Sequence, residues 1–393
     1  MRIVFFIPKI LRDAHRYIYN LDRFESEGLD FTILDATIFY GNVATATEDI
    51  ILRNRYVVKD DQDLYSFSQT LPKEGVLYVV KDHDLHYSSR ELKKIIRRGD
   101  QVLSYNTKTF ATIDPPSKWR TLIEDSAGKL ERILPLHLFK HYYSLIYKIP
   151  IPDYYLCSTT FLFPLKAYLT VKPGNRFSVH ADDMNHIINA PSETFVEEGK
   201  KFAVFVDQGI PFLHDTHPGV YPDPLPKKYF DEYYSNLMAT FDHIKDVFNI
   251  DEVVVALHPN TVAYKKKMEG KFPGIRAIIG KTKDLIREAD LVLAHNSTSI
   301  NFAIYYEKPV FILKDEIIYN YNPRIKKLFD FYTNYLNMKS FYTDKDLKNQ
   351  QITPFVDEEK YKLYKNRYIK DNSIEENSYY YAIRQILERN PLN

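Results

Sequence analysis

One cysteine stands in the 393 residues, Cys157. A lone thiol cannot build an internal disulfide framework, which separates the chain from small secreted scaffolds and predicts a buried, reduced side chain in a cytoplasmic protein. Excess charge is missing too. The 53 Lys and Arg against 52 Asp and Glu leave a formal net charge of +1, which argues against a general nucleic-acid binder, whose affinity rests on a basic surface. No run reaches the eighteen or so uncharged apolar residues that a membrane span needs. The nearest, residues 142–171, is interrupted by Lys148, Asp153 and Lys166 and by Pro150, Pro152 and Pro164. The opening run MRIVFFIP stops at Pro8 and soon meets Lys9, Arg12 and Asp13, so it reads as a first strand, not a signal peptide. Internal repeats and low-complexity segments are absent as well.

What the chain does hold is apolar residue, 45% of the total, enough to core two domains of ordinary size. Its 32 Tyr and 25 Phe read first as background composition. A second reading places the aromatic, lysine-bearing residues 142–168 at a membrane surface, where amphipathic rings are favoured. In the first half, strand patterns at Ile3–Ile7, Phe31–Leu34, Val76–Val80 and Gln101–Tyr105 alternate with helix patterns near residues 14–26 and 88–98. Such alternation implies parallel βαβ units. Residues 154–168 are expected to close that domain, and the polar stretch 173–199 to connect it to the next.

The second half restarts with a strand at 201–206 that ends in Asp207-Gln208-Gly209. Five prolines between Pro211 and Pro226 forbid a continuous helix or central strand there, so a loop is expected beside the strand end. Pro226 then opens a long helix to about Val247, with Tyr229, Tyr233, Leu237, Phe241 and Ile244 on one stripe. The runs VVVAL (253–257) and LVLA (291–294) are continuous rather than alternating, as in parallel strands covered on both faces. Further strands are expected at 275–279 and 310–313, with helices at 262–268, 282–288 and 299–306. A final helix near 374–389 carries Tyr379, Ile383, Ile386 and Leu387 on one face.

Polar residues appear just beyond the carboxyl ends of these strands, which is where open α/β sheets bind ligands. His258-Pro259-Asn260 follows VVVAL, and Pro259 suits the first turn of a helix, whose free N–H groups favour an anion. His295-Asn296-Ser297-Thr298-Ser299 follows LVLA, with a cap residue and small hydroxyl side chains that let a phosphate approach the backbone. Gly280-Lys281-Thr282 resembles the end of a phosphate loop, but five residues separate Gly274 from Gly280 where that loop needs four. Thr282 therefore reads as a helix cap. Asp207, at a strand end beside apolar walls, is the candidate general base, because burial raises a carboxyl toward a useful pKa. His214, Asp215 and His217 stand close by in sequence, yet H-D-x-H in a loop does not make a metal site without a further ligand.

The order Asp207-Gln208-Gly209, His258-Pro259 and His295 to Ser299 resembles the donor domain of bacterial sialyltransferase-like and Kdo-transferase-like enzymes. The likeness covers about residues 202–313. It implies the glycosyltransferase-B fold, two Rossmann-like doubly wound α/β domains facing a cleft, and a CMP-activated acidic sugar as donor. It further implies that Asp207 is the base, that His258 holds the CMP phosphate, and that Ser297, Thr298 and Ser299 bind phosphate or donor carboxylate. One position departs from the pattern: Gln208 stands where those families usually carry a second carboxylate.

From these signals residues 1–190 are expected to form an acceptor-binding domain, 191–357 the donor domain, and 358–393 a helical segment packing back across the domains. Catalysis falls to Asp207 and His258. The donor nucleotide falls to His258, Pro259, Asn260, Gly280, Lys281, Thr282, His295, Asn296, Ser297, Thr298 and Ser299. The acceptor, a saccharide or glycolipid, falls to Lys9, His15, His83 and His86, which follow strand ends in the first half together with Arg12 and Asp82. No cofactor and no metal are expected. Two rival readings stay open: a UDP- or GDP-sugar transferase or epimerase, and a non-catalytic polysaccharide-assembly protein that retains a nucleotide site.

Overall fold

The computed structural model describes residues 1–8, 11–40, 52–82, 88–107, 150–158, 167, 170–195, 197, 199–212, 226, 228–258, 261, 268–321, 323–350 and 352–390. The chain divides into two compact units, the first made of residues 1–190 with 367–393 and the second of 191–366.

Unit 1 is built on seven parallel strands: β1 (Arg2–Ile7), β2 (Phe31–Asp35), β3 (Arg55–Val57), β4 (Val76–Lys81), β5 (Gln101–Asn106), β6 (Tyr154–Cys157) and β7 (Arg176–Ser178). Their order is β3-β2-β1-β4-β5-β6-β7. The central strands are buried along almost their whole length, β4 as VLYVV and β1 as IVFFI. That is the pattern of a sheet covered on both faces. The helices α1 (Ala14–Ile18), α2 (Leu21–Ser26), α3 (Asp61–Thr70) and α4 (Ser89–Ile95) lie between them in sequence, and α5 (Asp182–Asn189) follows β7. The single helix expected over 14–26 is two, because Asn20 adopts a left-handed backbone, φ 57°, which interrupts the helical turn. Residues 173–199 are more than a connection: they supply β7 and α5 before the chain leaves the unit at Ala190. The thiol of Cys157 is buried at the end of β6. Most of the aromatic stretch 142–168 lies outside the described residues.

Unit 2 carries six parallel strands: β8 (Phe202–Val206), β9 (Glu252–Leu257), β10 (Arg276–Ile279), β11 (Leu291–Ala294), β12 (Val310–Lys314) and β13 (Lys339–Tyr342). Their order is β10-β9-β8-β11-β12-β13. Helices α6 (Lys228–Phe248), α7 (Thr282–Glu288), α8 (Ile300–Tyr305), α9 (Glu316–Tyr321), α10 (Pro323–Tyr335) and α11 (Glu358–Tyr364) accompany them. Each fully buried Val or Phe of β8 contributes about 1.5–3 kcal/mol through the apolar surface it removes from water. All five residues of that strand are buried, so β8 anchors the sheet. Helix α6 buries Tyr233, Leu237, Phe241 and Ile244 of the expected stripe.

The last helix, α12 (Ser378–Arg389), belongs to unit 1, where Tyr379, Tyr380, Ala382, Ile383 and Ile386 join the core against β1, β4 and β5. Asn377 caps it by accepting from Tyr380 N at 3.0 Å, and the same side chain donates to Ile18 O at 2.8 Å. An ion pair between Arg23 and Glu376 adds a second tie. Among the described residues no helix is long and apolar enough to cross a membrane.

Candidate functional site

Counted from its own first strand, the unit 2 sheet runs 3-2-1-4-5-6, so the order reverses between β8 and β11. Adjacent strands whose connections leave in opposite directions open a crevice at their carboxyl ends. The residues at those two ends are Asp207-Gln208-Gly209 and His295-Asn296-Ser297.

Asp207 extends the ladder by one bond, its N–H donating to Ala256 O at 3.0 Å, and then the chain turns. Gly209 makes the turn possible with φ +60°, a left-handed conformation that costs glycine no Cβ clash. Its N–H donates to Asp207 Oδ1 at 2.9 Å. The other oxygen, Oδ2, is buried and has no hydrogen-bond partner among the described residues. The residue is only 2% exposed. Burial pushes its carboxyl up to about 6, and the backbone N–H groups of Gly209, His258 and Gln208 hold the rise back.

Across the crevice, the N–H of Asn296 donates to Gln208 Oε1 at 2.7 Å and bridges the ends of β11 and β8. In the sequence Gln208 marks only the place of a missing carboxylate; the bridge spans 88 positions and leaves no local signal. Ser297 Oγ accepts from Ser299 N at 3.1 Å, and Ser297 O accepts from Tyr332 at 3.3 Å. Thr298 and Ser299 are partly exposed. The helix they lead into has six residues, α8, and Ser299 makes no side-chain cap bond to it.

His295 lies beneath this turn with no exposed surface. Its Nδ1 donates to Leu313 O at 2.7 Å and its Nε2 accepts from the Tyr233 hydroxyl at 2.9 Å. The ring stacks on Phe329 with centroids 5.6 Å apart. Burial pushes its pKa down to about 4, so the ring is neutral. With both nitrogens committed inside the unit, His295 holds the Asn296–Ser299 turn from below and presents neither nitrogen to a ligand.

His258 is partly exposed just beyond β9, beside β8, and its O accepts from Thr261 N at 2.8 Å. Pro259 and Asn260 lie outside the described residues, as do His214, Asp215 and His217. Gly280, Lys281 and Thr282 sit at the end of β10, the edge strand, two strands from β8 and so roughly 10 Å away at ordinary strand spacing. Lys281 pairs with Glu193 at 2.6 Å and stands at the N-cap position, making Thr282 the first residue of α7, not its cap. The left-handed φ of +78° explains the glycine at 280. These three residues are not gathered with Asp207 and Asn296.

In unit 1, Lys9, His83 and His86 lie outside the described residues. His15, on α1, accepts the Arg12 N–H at its Nδ1 over 2.9 Å. Loss of solvation pushes its pKa down to about 3, with the charges of Arg12 and Lys81 acting the same way. Among the described residues no group of three or more His, Cys, Asp or Glu is arranged to hold a metal ion.

No protein-family model matches the sequence, and no curated protein matches it. Solved structures do. The wall teichoic acid polymerase TagF is similar over 99% of this chain and 88% of that chain, at 10% identity and a TM-score of 0.52. S. aureus MnaA, in a co-structure with UDP, covers 80% of this chain and 79% of its own, at 8% identity and a TM-score of 0.44. UDP-GlcNAc 2-epimerase from Methanocaldococcus jannaschii reaches 92% and 98%, at 11% identity and a TM-score of 0.40. At such identities the likeness is one of fold, and the TagF superposition carries it. The chain is an α/β protein of two doubly wound parallel units, of the glycosyltransferase-B type.

Proposed function

We propose that the protein is a glycosyltransferase that takes an acidic sugar, of the nonulosonic or Kdo kind, from a CMP-linked donor and passes it to a saccharide or glycolipid acceptor. The observation that carries the reading is Asp207. A buried carboxyl raised to about 6, with one oxygen unengaged by described residues, stands at the point where the strand order reverses. Perturbed acids in such crevices are the usual mark of a general base.

In this reading the nucleotide phosphate rests against His258 and the Ser297–Ser299 turn, with Pro259 and Asn260 alongside. Asn296 and His295 hold that turn. Transfer forms a bond from the sugar carbon to the acceptor oxygen and breaks the bond from that carbon to the phosphate oxygen. CMP leaves with the electron pair, and the acceptor proton passes to Asp207 Oδ2. Hydrogen-bond donors aimed at the leaving phosphate stabilise the transition state more than the ground state, because the negative charge grows there. Since Asp207 is almost wholly covered, the acceptor hydroxyl reaches it only when neighbouring side chains part.

The second reading is group transfer of the kind named for TagF, a wall teichoic acid polymerase, favoured by a likeness that spans 99% of the chain. A nucleotide panel separates the two. Thermal unfolding is followed with CMP, CDP, UMP, UDP and GDP, since a ligand that binds the folded chain raises its midpoint. Stabilisation by CMP above the rest is the expected result. Preference for a diphosphate, or for uridine, overturns the CMP-sugar assignment.

A further inference from the structure

A glutamine amide can face a neighbour with either its oxygen or its nitrogen, and at position 208 the neighbour decides. The group opposite is the backbone N–H of Asn296, a donor only, so Oε1 must face it, as it does at 2.7 Å. The two N–H groups of Nε2 then project the other way. Gln208 is partly exposed, and Nε2 meets no acceptor among the described residues. The bridge therefore fixes a pair of outward donors at the carboxyl ends of β8 and β11, where the strand order reverses.

We propose that Gln208 is the residue by which this site reads an anionic phosphate oxygen: Nε2 donates to the phosphate while Oε1 stays locked on Asn296. The inference rests on the donor-site reading above and adds a reason for glutamine at this position. A glutamate would satisfy Asn296 equally well, since either carboxylate oxygen accepts an N–H. It would offer no donor, however, and would set a negative charge against the phosphate and beside Asp207. Glutamine is the side chain that keeps the strand-end bridge and still faces an anion.

The test compares the parent chain with Gln208→Glu and Gln208→Met, using inorganic pyrophosphate and CMP as probes. Each variant is measured against itself, with and without probe, by calorimetry and thermal shift, so that a change in intrinsic stability cancels. The parent should bind pyrophosphate, and both variants should bind it at least ten-fold more weakly, the loss expected for a hydrogen bond to a charged group. Without probe, Gln208→Met should melt lower than the parent because it also loses the bridge. Equal pyrophosphate affinity in the parent and Gln208→Glu overturns the proposal, as does a parent chain that binds none. Failure of the donor-site reading looks different: no nucleotide binds the parent, while pyrophosphate binding still depends on Gln208.

Discussion

Tyr233 donates its hydroxyl hydrogen to His295 Nε2 across 2.9 Å, a direction fixed from the far side of the ring, where Leu313 O takes the proton on Nδ1. The pair ties helix α6 to the end of β11. Tyr233→Phe leaves a buried ring nitrogen without a donor and is expected to cost about 1–3 kcal/mol of stability. Urea unfolding at neutral pH reads this directly. A variant as stable as the parent would mean that the hydroxyl is replaced by another group.

Asp207→Asn separates catalysis from folding. Asparagine retains an oxygen for Gly209 N but cannot take a proton, so turnover should fall about 10²-fold or more at saturating donor, with nucleotide affinity nearly unchanged. Stability should move the opposite way. Raising the carboxyl from 3.8 to about 6 means that at pH 8 the folded chain carries a disfavoured charge worth about 3 kcal/mol. Asparagine removes it, so the variant should unfold later than the parent at pH 8. A variant that transfers at the parent rate would make Asp207 a turn residue alone.

The rate itself should follow the same group. If Asp207 accepts the acceptor proton, kcat/KM climbs as pH rises through about 6 and levels above it. A profile flat from pH 5 to 8 would remove Asp207 from the chemistry, whatever its effect on stability.

Acid should destabilise the chain, and the histidines decide the sign. His180 and His295 are held down to about 4 by burial, and His15 to about 3. Unfolded, each takes a proton near 6.5, so between pH 6.5 and 4 the unfolded state binds more protons and stability falls as pH falls. Asp207 works against this between about 3.8 and 6, where the folded chain holds the extra proton. Asp100 and Asp315, raised by burial, act with it. Urea midpoints at pH 7.5 and 4.5 should drop on acidification, more steeply in Asp207→Asn. A midpoint that rises would mean the histidines stay exposed to protons in the folded chain.

Both sheets were legible because their central strands are continuous apolar runs, VVVAL and LVLA above all, and because turn or polar residues punctuate them. Asp207, His258 and Asn296 to Ser299 were legible for the same reason: they stand next in line after such runs. Helices α3 and α10, of ten and thirteen residues, escaped, and the rest of what escaped was short or remote. β3, β7 and β13 have three or four residues, mostly half-buried, too few to show a period. The Gln208–Asn296 bridge and the Tyr233–His295 bond join residues that are 88 and 62 positions apart, and only the folded sheet puts them together. His295 looked like a ligand because it follows a strand, yet its side chain enters the core on the side away from solvent.

The return of the chain to unit 1 at Arg367 makes unit 2 an insertion into it, and this sets the order in which the molecule can be completed during synthesis. Residues 191–366 emerge from the ribosome as one uninterrupted piece able to close its sheet. Unit 1 must wait, because Tyr379, Ile383 and Ile386 fill its core from a helix translated after everything else in that core. Until then the face that α12 covers, including Tyr19, Phe24 and Tyr105, is left as exposed apolar surface on a nascent chain. Unit 1, begun before unit 2, is thus completed after it, with apolar surface open to aggregation in the meantime.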